Sequence, residues 1–157
     1  MSNVNPAQDN SLSNQNISLL TTSGMFELYV LSMGNGVSWV LPQTLSLEAI
    51  TLKPNSDKEI VWQGKKIPLV MLADKKNVTH ALVIEGVQDQ LRYAIATTSE
   101  PILTNVKMSA LKDVDALADA KSTSKASQYV YQHIQHADQT WVVPDLEEIE
   151  RSFKGVI

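Results

Sequence analysis

The chain has 157 residues, 43% of them hydrophobic, with a formal net charge of −4 and no cysteine. That length predicts one domain with a real core, hiding roughly two-thirds of the unfolded surface. The absence of cysteine excludes a disulfide framework and thiolate chemistry, and the scattered lysines and arginines argue against nucleic acid or an acidic membrane as partner.

Residues 1–24 are rich in Asn, Ser, Gln and Thr, with aliphatic residues sparse until Ile17, Leu19 and Leu20. They predict a disordered tail ahead of a folded domain over 25–157. The polar start has no signal-peptide pattern, and no apolar run reaches the roughly 20 residues that span a bilayer. A soluble cytoplasmic protein without membrane insertion is the expectation.

Met25 to Met33 alternates as a strand, with Phe26, Leu28 and Val30 on one face and Met25, Tyr29 and Leu31 on the other. Gly34-Asn35-Gly36 supplies a hairpin turn, and Val37 to Leu41 pairs back until Pro42 stops the ladder. Gln43 to Leu52 fits neither the helical nor the strand period. Ile60-Val61-Trp62 and Ile67 to Leu72 form a hairpin about a tight turn containing Gly64, which is free to take the positive φ required there. Pro68 has no N–H for a ladder and belongs at an edge or a bulge. His80 to Glu85 and Leu91 to Thr97 are two further strands, followed by a short one from Pro101 to Val106. Leu111, Val114 and Leu117 are spaced as one helical stripe, which predicts a short helix within Met108 to Ala120. Lys121 to Ser127 reads as a loop. Gln128 to His136 and Thr140 to Val143 form the last hairpin. Asp145 caps a terminal helix through Leu146, Ile149 and Phe153, with Glu148 closing a capping box. Close-spaced short strands favour small barrels or a sandwich over a βαβ fold.

Catalytic constellations are missing from this pattern. His133 and His136 have a metal-like spacing on a helix but point to opposite faces of a strand. His80 reads as a strand-end residue. No G-x-S-x-G elbow accompanies the many serines, and Gly34-Asn35-Gly36 lacks the Lys and helix of a phosphate loop. Glu147 and Glu150 read as a solvated helix face. No cofactor or metal is expected.

The run W-Q-G-K-K-I-P-L-V-M-L, Trp62 to Leu72, resembles the central signature of CheW-like domains, the coupling modules of chemosensory arrays. Gly64, Pro68 and Leu72 fit that signature; Gln63 stands where the family has Arg, and Met71 where it has Asp. A family Gly and Val-Asp pair are replaced at Ala94 and near Thr97-Thr98. The strand order from 25 to 153 follows the family's. The resemblance implies a mostly β fold of two intertwined five-stranded SH3-like barrels with a short C-terminal helix. It further implies a non-enzymatic adaptor between the cytoplasmic tip of a methyl-accepting chemoreceptor and a CheA-type histidine kinase. The departures are similar to those expected of accessory adaptors in type IV pilus twitching systems. The resemblance places a hydrophobic groove between the two barrels, and the groove residues implied are Trp62, Gln63 and Gly64 with Val37 and Val40. From the residues alone, Trp62 also reads as a core tryptophan beside a turn. Loss of the Arg and Asp leaves open a module that binds one partner only, or a different protein.

Overall fold

A computed structural model of the protein describes residues 24–88, 90–114 and 128–153. The predicted tail, the Lys121–Ser127 loop and the second half of the predicted 108–120 helix lie outside them. Among the described residues the strands are β1 (Met25–Ser32), β2 (Ser38–Pro42), β3 (Ser46–Thr51), β4 (Glu59–Trp62), β5 (Lys65–Val70), β6 (His80–Glu85), β7 (Arg92–Thr97), β8 (Ile102–Lys107), β9 (Leu111–Val114), β10 (Val130–His136) and β11 (Gln139–Pro144). One helix, α1 (Leu146–Arg151), follows.

The strands form two curled sheets, matching a CheW-like fold of two barrel-like halves. One sheet has six strands in the order β8-β1-β2-β11-β10-β9; the other has five, β3-β6-β7-β5-β4. The second is thus one continuous excursion of the chain, while the first gathers strands from both sides of it. In each sheet antiparallel hairpins are joined by a short parallel contact. β2 meets β11 through Ser38 and Trp39, and β5 meets β7 through Leu69 and Val70.

Side-chain alternation divides the core into three parts. In β6 and β7 both faces are apolar, as expected of strands covered on both sides. Ala81, Val83, Ala94 and Ala96 fill the inside of the five-stranded half with Ile67 and Leu69. Leu82, Ile84, Tyr93 and Ile95 face the other way and meet Leu31, Trp39, Leu41 and Val142 of the six-stranded half. Phe26, Leu28, Val40, Val106 and Trp141 fill the inside of that half. The two barrels therefore share a packed apolar interface.

The terminal helix belongs to the same interface. Ile149 and Phe153 are buried there, and the Phe153 ring meets Tyr93 edge-on with centroids 5.0 Å apart. The Asp145 carboxylate accepts the Glu148 N–H at 3.1 Å, an N-cap. The Glu148 side chain pairs with Arg151 instead of returning to the cap.

Three local expectations change. Residues 108–114 are a 3₁₀ turn (Met108–Ala110) followed by β9, not a helix. Antiparallel pairing with β10 overrides the weak three-residue stripe. Gln43 to Leu52 resolves into a 3₁₀ turn (Gln43–Leu45) and β3, and a register shift between Ser46 and Glu48 explains why no clean period is visible. Glu150 is 2% exposed and is not on a solvated face.

Candidate functional site: a groove beside the β4–β5 turn

The β4–β5 hairpin closes with Trp62 opposite Lys65. Its two central residues, Gln63 and Gly64, have φ of 51° and 80°. Two successive positive φ values mark a primed turn, whose twist matches that of the flanking strands. A glycine at the second position adopts this at no steric cost. Gln63 takes it at some cost and is exposed.

Pro68 opens a groove next to this turn. The Leu69 N–H donates to the Lys58 carbonyl on the β4 side at 2.8 Å. By strand alternation the Pro68 nitrogen then faces β7, where it has no proton to give. The parallel ladder to β7 starts only at Leu69. Before it, β5 and the approach to β7 diverge. The resulting groove has a volume of about 660 Å³, and its walls include Trp62, Gln63, Lys65, Lys66, Gln90 and Arg92.

The groove is polar at the rim and weakly basic. Arg92 pairs with Glu85 at 3.7 Å, and Glu59 adds one carboxylate to the wall. Among the described residues Lys65 and Lys66 make no ion pair. Ile67 and Pro68 form an apolar floor.

Trp62 has a split role. Its ring is half-buried against the core of the five-stranded half, and its Nε1–H donates to Glu48 of β3 at 2.8 Å. β3 and β4 are the two edges of that sheet, so the indole bridges them and draws the sheet toward closure.

The five implied groove residues do not come together. Trp62, Gln63 and Gly64 do. Val40 is 3% exposed and packs inside the six-stranded half. Val37 is 41% exposed but sits in the β1–β2 loop, which docks at the far end of β7. There the Thr98 N–H donates to the Ser32 carbonyl at 2.9 Å, and the hydroxyls of Ser32 and Thr98 are 3.0 Å apart. The groove borders the start of β7, about 17–20 Å away for a strand of that length. It is built entirely from the five-stranded half and the β6–β7 turn, because the space between the barrels is packed. The implied set omitted Lys65, Lys66, Gln90 and Arg92; the paired lysines were visible in the chain, but the approach of residues 90–92 depends on the parallel β5–β7 contact.

Other candidates separate. His133 and His136 lie on opposite faces of β10, and the His136 ring stacks on Trp141 with centroids 4.9 Å apart. Among the described residues no group of three or more His, Cys, Asp or Glu is placed to hold a metal, and no helix is long and apolar enough to cross a membrane.

No family model matches the chain, and no curated protein matches it. Among solved structures it is similar to the scaffolding protein TtCheW from Thermoanaerobacter tengcongensis. The match has a TM-score of 0.55 and 13% identity, and covers 76% of this chain and 84% of that one. The likeness shows a shared fold: the two-barrel CheW-like architecture.

Proposed function

We propose that the protein is a non-enzymatic adaptor that couples the cytoplasmic tip of a chemoreceptor to a CheA-type histidine kinase. The observation that carries this reading is the two-barrel fold held in common with a scaffolding protein. The groove at the β4–β5 turn is its receptor site. An apolar floor under a polar rim suits one face of an amphipathic helix, and the exposed Lys65 and Lys66 favour acidic side chains on that helix. The kinase's own CheW-like regulatory domain packs barrel to barrel on a separate face. Such work places the protein in the cytoplasm, and the departures at Gln63 and Met71 fit an accessory adaptor of a pilus-based system. The same departures favour a second reading, in which only one of the two partners is retained.

Gln63→Arg tests the site. The residue is exposed, so stability should stay within about 0.5 kcal/mol of wild type. A charged hydrogen bond replaces a neutral one, worth about 1 kcal/mol more, so a receptor-tip fragment bearing carboxylates should bind roughly fivefold tighter. Kinase affinity should not move. Titrating both fragments against both proteins decides it. An unmoved receptor affinity with a changed kinase affinity would place Gln63 on the kinase face instead.

A further inference from the structure

Glu150 is a buried carboxylate with no cation paired to it among the described residues. It reaches from α1 into the β6–β7 turn. Its Oε2 accepts the Val87 N–H at 2.8 Å and the Tyr93 hydroxyl at 2.8 Å. Its Oε1 accepts the Gln88 N–H at 3.1 Å. Gly86 makes room for it: a Cβ there would lie 2.7 Å from Oε2 and 3.0 Å from the Tyr93 ring. The turn is then closed by the Gly86 N–H on the Leu91 carbonyl at 2.7 Å and the Leu91 N–H on the Gln88 carbonyl at 3.2 Å, and Gln90 takes a φ of 61°. The next residues, Gln90 to Arg92, are a wall of the groove.

We propose that Glu150 is a positioning residue for the groove: by holding the Val87 and Gln88 amides it sets the β6–β7 turn that presents Gln90, Leu91 and Arg92, and so couples the C-terminal helix to partner binding. The significance for binding rests on reading the groove as the receptor site; the coupling itself does not. A carboxylate is required because all three partners donate. In Glu150→Gln the amide nitrogen occupies one of the two positions, and whichever it takes, at least one backbone N–H loses its acceptor. By linkage, a partner that fills the groove also tightens the docking of α1.

The test is amide hydrogen exchange and ¹H–¹⁵N spectra of the full chain, free in solution, for wild type, Glu150→Gln and Tyr93→Phe. In Glu150→Gln at least one of the Val87 and Gln88 amides should exchange about tenfold faster. Shifts should extend through Gln90, Leu91 and Arg92 to Gln63 and Gly64, with the β1–β8 amides unchanged. Tyr93→Phe keeps both backbone bonds and serves if the first variant does not fold; its shifts should follow the same path with smaller amplitude. Perturbations that stop at Val87 and Gln88, in whichever variant folds, overturn the proposal. A receptor-tip fragment should bind Glu150→Gln about tenfold more weakly, with kinase affinity intact. A wild type that ignores the receptor tip defeats the groove reading alone, because exchange is measured without a partner.

Discussion

Gly64 in the central turn shows how a backbone angle constrains the sequence. Gly64 has a φ of 80° and open space around any Cβ, so substitution there costs backbone strain and nothing else. Gly64→Ala should lose about 1–2 kcal/mol, read as a lower denaturant midpoint at constant slope. A variant as stable as wild type would mean that the turn relaxes. Gly64 was legible in the sequence because only one residue of the hairpin loop is glycine. Glu150 was not, since an E-x-x-E on a helix looks the same whether it faces water or a buried turn. The Tyr93 phenol carries the clearest pH signature. Burial, then the hydrogen bond and charge of Glu150, push its pKa far above the usual 10.0. The folded protein keeps this proton where the unfolded chain gives it up. Its contribution is complete below about pH 10 and falls above it by about 1.4 kcal/mol per pH unit. Urea unfolding from about pH 9 to 11 should show a steeper alkaline loss in wild type than in Tyr93→Phe. Parallel curves would remove Tyr93 as the cause.

Among the elements, the terminal helix is short and depends on its ends. A six-residue helix has little intrinsic stability, so it stands on the Asp145 cap and on Ile149 and Phe153 in the core. Asp145→Ala should cost about 1 kcal/mol and should loosen exchange at the Glu148 amide before that of β6 or β7. Equal loosening everywhere would mean that the cap acts on global stability only. The hairpins were readable because turn chemistry marks them, as Gly34-Asn35-Gly36 does for β1 and β2. β9 was misread because it is four residues long, too short for a period of two to outweigh a chance stripe at three. What makes it a strand is β10, and nothing local announces that partner.

At the scale of the molecule, the shared interface between the barrels is the feature that sequence alone leaves hidden. His80 to Glu85 and Leu91 to Thr97 were readable as strands, but nothing in them says which element covers each face. Leu82 and Ile84 meet the other half of the molecule, whereas Ala81 and Val83, their neighbours on the same strand, line their own. The small residues Ala81, Ala94 and Ala96 fit the narrow interior of a five-stranded barrel; the larger ones span the gap between barrels. With that gap filled, the adaptor proposed above would have to bind its partners on outer faces. The most direct measurement is sedimentation of the protein mixed with a receptor-tip fragment and a CheA-type regulatory domain, singly and together. The adaptor account predicts a ternary species heavier than either binary complex. Two binary complexes that displace one another, or a single partner bound, would contradict it.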